Sequence, residues 1–76
     1  MANTDILFFD IEGEAKTVAR DKAQQLLAYI DRQIAVHDDS IRACIALRDK
    51  KGEAEYTDKK ASLTRIAAEI SVQLND

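Results

Sequence analysis

Between Gly13 and Gly52 the chain contains no proline and no further glycine. That uninterrupted stretch constrains the fold more than any other feature, because proline and glycine are the residues that most readily break a helix. Its apolar residues recur at helical spacing. Leu27, Ile30, Ile34, His37, Ile41 and Cys44 alternate steps of three and four, the seam of a coiled coil. Ala19, Ala23 and Leu26 extend it backwards, and Ile45 widens it. A second stripe of Val18, Tyr29, Val36, Ala43 and Leu47 runs beside it. At about 100° per residue the two stripes cover roughly 180° of the helix surface, a band wide enough for neighbours on two sides. Asp21, Gln24, Asp31, Asp38, Arg42 and Asp49 occupy the opposite face. The stretch reads as one helix over 14–51, roughly 57 Å long at about 1.5 Å per residue. Ser40 could cap a fresh start after a break near His37, but the apolar phase holds across that point.

Arg48, Lys50 and Lys51 fall in the last turn, where positive charge suits the helix dipole. Gly52 then stands where a left-handed terminal residue belongs. Thr57 is a suitable N-cap, with Asp58 behind it. A second helix follows over 57–74, with Leu63, Ile66, Ala67, Ile70 and Leu74 as its apolar face and Tyr56 at its entry. A short link between amphipathic helices implies an antiparallel hairpin. The expected class is therefore all-α, with residues 14–76 as the helical domain. Residues 1–13 form a separate apolar and acidic arm, frayed at 1–4 as Asn75 and Asp76 are at the other end. Ile6 to Ile11 favour an extended strand ended by Gly13, and no second strand is evident. Such an arm can pack over the long helix, pair with its copy in another subunit, or be a recognition peptide for a partner; a first helical turn is a further reading.

The expected helices differ in length by a factor of two. The shorter one reaches back only to about Ile34, leaving Leu26, Leu27, Tyr29 and Ile30 without a partner. Covering several large apolar side chains is worth about 1.5 to 3 kcal/mol each. A chain of 76 residues buries only about 60% of its unfolded surface, and one cysteine permits no internal disulfide. Homo-oligomerisation into a bundle, most simply a homodimer of hairpins, is the expected remedy. Its interface is the seam, Ala19, Ala23, Leu27, Ile30, Ile34, His37, Ile41 and Cys44. Leu7, Phe8, Phe9, Leu26 and Tyr29 are the candidate contacts for a second, unidentified protein.

The net charge is −3, with both signs mixed, which gives no strong electrostatic footprint for nucleic acid. Residues 1–13 carry three acids and no base, 14–51 eight bases and six acids, and 52–76 three bases and five acids. No apolar run approaches the 18 or so residues that span a bilayer, the start does not read as a secretory signal, and a lone cysteine suits a reducing cytoplasm.

Chemistry is sparsely provided. His37 lacks an orienting group and reads as a polar layer in the seam. Cys44 lies about 10 Å further along the axis, too far to pair with it. Asp38 and Asp39 diverge around the helix, and Asp10, Glu12 and Glu14 lack a pocket. Neither an enzyme nor a cofactor or metal is expected. Arg48, Lys50, Lys51, Lys59 and Lys60 gather at the hairpin tip, but Asp49, Glu53, Glu55 and Asp58 dilute them; Lys16, Arg20 and Lys22 form a second small cluster, and no aromatic residues interleave with either for base stacking. The expectation is a non-enzymatic protein–protein interaction module that self-associates and regulates or occludes a partner. The alternative is a small dimeric bundle that contacts RNA or DNA backbones through the long helix.

Overall fold

The computed structural model describes residues 5–75; of the frayed ends expected at 1–4 and 75–76, only Asn75 lies within them, as the C-cap of α2. The chain runs β1 (Ile6–Phe9), β2 (Ala15–Val18), α1 (Arg20–Leu47) and α2 (Lys50–Leu74). The strands form an antiparallel hairpin, with Ile6 opposite Val18 and Phe9 opposite Ala15. The helices form the second, longer hairpin, in a rod with extents of 54 × 20 × 15 Å.

The expected helical hairpin with an extended N-terminal segment is present, but its boundaries differ for local reasons. Residues 14–18 are not helical. Asp10 bonds back to Glu14 and accepts at its carbonyl from Gly13. Its carboxylate Oδ1 accepts from the amides of Glu12 and Glu14, both at 2.9 Å. Gly13 sits at φ +86°, completing a short hairpin loop of the kind that needs a left-handed residue before the return strand. Thr17 and Val18 are β-branched and suit that strand. The second strand missing from the sequence reading is therefore Ala15–Val18.

The turn between the helices is also displaced. Arg48, not Gly52, takes the left-handed conformation, at φ 58°. Asp49 and Arg48 donate to the carbonyls of Cys44 and Ile45, closing α1 as a Schellman motif. Asp49 then caps α2 by accepting from the Gly52 amide at 3.0 Å, with Glu53 in the first turn. Gly52 is needed for a different reason from the one expected. A Cβ there would lie 2.5 Å from Asp49 Oδ2 and 3.0 Å from Cys44 Sγ. The second helix thus begins seven residues before Thr57 and contains 25 residues against 28 in α1.

Near-equal lengths remove the mismatch on which the expected oligomer rested. Ile6, Ala23, Ile30, Ile66 and Ile70 form one core, with Phe8, Val18, Leu26, Leu27, Ile34, Leu63, Ala67 and Leu74 packed against it. Leu26, Leu27 and Ile30 are covered by the same chain, from α2 on one side and the β hairpin on another. Over its first half the wide apolar band of α1 has two neighbours, both of them intramolecular, while Val36, Ile45 and Leu47 beyond it stay exposed. At the base of the rod, Arg20 donates to the carbonyls of Gln73 and Leu74, placing a cation against the C-terminal end of α2.

Candidate interaction surface

The β hairpin is held to α2 by a zipper of side chains. The Leu7 amide donates to Gln73 Oε1 at 3.0 Å, and Gln73 Nε2 donates back to the Leu7 carbonyl. The Phe9 amide donates to Glu69 Oε1 at 3.1 Å, and Arg65 donates to the Asp10 carbonyl at 3.0 Å. Four helical residues rise about 6 Å and two strand residues about 6.7 Å, so Glu69 and Gln73 match the step from Phe9 to Leu7, and Arg65 takes the carbonyl of the next residue, Asp10. The Phe9 amide, then the Arg65 guanidinium at 2.7 Å, hold the Glu69 carboxyl below its usual range. An edge that could recruit another strand is thereby closed.

Strand geometry divides the predicted arm between two faces. Ile6 and Phe8 turn inward to the core. Leu7 and Phe9 stay on the outer face, 47% and 46% exposed. The loop of the hairpin overhangs the helices and leaves a groove of about 490 Å³. Phe8, Ile11, Leu26, Tyr29, Ile30, Leu63 and Ile66 line it, and Asp10 and Glu12 edge it. None of these lining residues is cationic. Asp10 Oδ2 lies 4.0 Å from Lys16, whereas Glu12 takes part in none of the ion pairs between described residues.

Of the five residues assigned to a partner, Phe8, Leu26 and Tyr29 meet in the groove and Leu7 and Phe9 share the outer strand face. Of the seam assigned to a second copy, Ala23, Ile30 and Cys44 are buried and Leu27, Ile34, His37 and Ile41 are half-buried inside this chain; Ala19 is exposed at the start of α1. Asp10, Ile11, Glu12, Leu63 and Ile66 also line the groove and are not among the expected contacts. The signal for them was the Asp10–Gly13 turn, which folds the arm back over α1.

The chemically reactive candidates remain apart. His37 packs edge-on to Tyr56, with ring centroids 5.7 Å apart, and its buried Nδ1 has no hydrogen-bond partner. Lys59 sits 5.4 Å over the other aromatic of this pair, Tyr56. Cys44 is buried, and burial, then Asp49, Glu53 and Glu55, push its thiol up, away from the reactive thiolate. Lys60 bonds Asp38 at 2.7 Å and holds that carboxyl low. No cluster of three metal-ligating residues occurs among the described residues, nor a helix long and apolar enough to cross a membrane. No family model, curated protein or solved structure matches the chain.

Proposed function

We propose that the chain is a non-enzymatic protein–protein interaction module, a small self-associating helical hairpin that binds a partner protein and regulates or occludes it. The observation that carries this reading is the outer face of β1. Leu7 and Phe9 present apolar side chains to solvent from a strand whose backbone is locked to α2 through Gln73 and Glu69. A rigid apolar pair binds with less loss of conformational freedom than a frayed terminus would. A lone buried cysteine suits action in a reducing compartment such as the cytoplasm.

The test is affinity capture from source cells with the chain and its Leu7→Ala and Phe9→Ala variants, whose fold is followed by circular dichroism. The reading expects a defined protein retained by the parent and lost with Phe9→Ala. A retained set that both variants leave unchanged refutes the outer strand face as the contact.

A second reading, binding of RNA or DNA backbones, draws on Arg48, Lys50 and Lys51, which are exposed and in none of the ion pairs between described residues. It requires binding that falls steeply with salt.

A further inference from the structure

Only Arg48 and Asp49 separate α1 from α2. Arg48 holds the left-handed conformation, at φ 58°, which strains a residue with a Cβ and leaves glycine unstrained. Nothing in the link forbids a helix. The chain has no proline, and arginine is among the better helix formers. The amides of Arg48, Asp49 and Gly52 now close the turn. Were helix to run through it, each would find the carbonyl four residues back, so straightening the link leaves none of them unbonded.

The phase of the two helices is a second, independent observation. Ile30 and Ile66 are 36 residues apart, about ten whole turns of a continuous helix. Counted in the same way, Ala23, Ile30, Cys44, Ile66 and Ile70, the buried residues of both helices, fall within one sector of about 80°. A hairpin makes no such demand, because each of its helices can turn about its own axis to face the other. A straight helix from Arg20 to Leu74, about 80 Å long, does demand it, because both halves must show one stripe to one neighbour.

We propose that two copies of this chain exchange their second helices. The Arg48–Asp49 link straightens, α1 and α2 run on as one helix, and each α1 packs against α2 of the partner subunit about a two-fold axis at the link. A second copy is the occupant because the surface that α1 bares on opening is the one that α2 already fits. Every interface of the closed chain is remade between chains. β1 stays beside its own α1 and closes on Glu69 of the partner subunit and Gln73 of the partner subunit. The closed and exchanged forms therefore differ chiefly at the link. Opening relieves two left-handed arginines per pair. Against that, Arg48 is 18 residues, about five turns, from Ile30, so in the straight helix it joins the buried sector near Arg48 of the partner subunit. That like-charge contact and dilution both favour the closed chain. The exchanged pair carries two Leu7 and Phe9 faces, one towards each end. This inference rests on the self-association in the proposed function and supplies its geometry.

The test is to unfold the full chain in urea, refold it at high concentration, and follow it by sedimentation equilibrium and solution X-ray scattering. A two-chain species is expected, with a longest dimension about twice the 54 Å of the closed rod. Arg48→Gly suits the closed turn and weakens the straight helix at two links per pair, so pairing should fall about a hundredfold with helicity of the closed chain unchanged. Arg48→Leu puts an apolar residue at the axis and should strengthen pairing about tenfold. A single-chain mass from the parent at the highest concentration overturns the inference. So does a two-chain species no longer than the closed rod, which means closed chains lying side by side. A captured protein that Phe9→Ala loses and Arg48→Gly retains supports the module reading whether or not the helices exchange.

Discussion

The two halves of the rod are built to different depths. At the base, α1 from Arg20 to Ile34 and α2 from Leu63 to Leu74 carry the β hairpin as a third layer, and five of the six buried apolar residues among those described lie there. At the tip the same helices have only each other. Cys44 is the one buried side chain, while Val36, Ile45 and Leu47 remain exposed. One ion pair joins the helices there, Lys60 on Asp38, while Arg42 pairs with Asp38 within α1. Two packed helices screen one stripe of each other; a second stripe is buried only where another layer lies across it. The same wide apolar band therefore makes a core at one end and a surface at the other.

The sharpest way to break this comparison is to cut matched side chains in each half. Ile70→Ala, at a fully buried position, should destabilise the chain by about 3 kcal/mol. Val36→Ala should cost under about 0.5 kcal/mol in the free single chain. Urea unfolding compares them, and equal losses would mean that the tip is as deeply packed as the base. The zipper comes next. Gln73→Ala strips Leu7 of both edge bonds and should cost about 1 to 2 kcal/mol. Hydrogen exchange should show the Leu7 amide losing protection while the amides of α1 keep theirs.

Arg48→Gly sharpens the description of the tip. Relief of a left-handed arginine should stabilise by about 1 kcal/mol, read as a raised urea midpoint with an unchanged slope. The smallest effect is expected from acid. The Glu69 carboxyl is held below its ordinary value of 4.5 by the Phe9 amide and Arg65. Its contribution is therefore complete above about pH 4.5 and fades as pH falls through the lower folded value. Exchange at the Phe9 amide should quicken over that window in the parent and show no such acid step in Glu69→Gln.

Much of the helical architecture was legible because period and phase are local. The seam from Leu27 to Cys44 announced α1, and Leu63 to Leu74 announced the body of α2. What misled was position-specific chemistry. Gly52 looks like a helix stop after Lys50 and Lys51, yet Asp49 three residues earlier is a better N-cap than Thr57, and it leaves α2 free to start at Lys50. Ala15 to Val18 extend the helical pattern well enough to hide a strand whose evidence lay in Asp10, Gly13, Thr17 and Val18 together. Phe8 and Tyr29 were legible as apolar residues near the start of the fold. Their meeting in one groove was not, because it depends on how far a loop overhangs a helix.

By itself the amino-acid order determined that two amphipathic helices fold back on each other, that α1 carries more apolar surface than one neighbour covers, and that reactive groups are few. Those properties are set by residue type and spacing along the chain. Only the tertiary structure decided which part of the surplus is satisfied internally. That outcome turns on where a two-stranded flap ends, and a flap of four-residue strands reaches over the base of the rod and stops short of its tip.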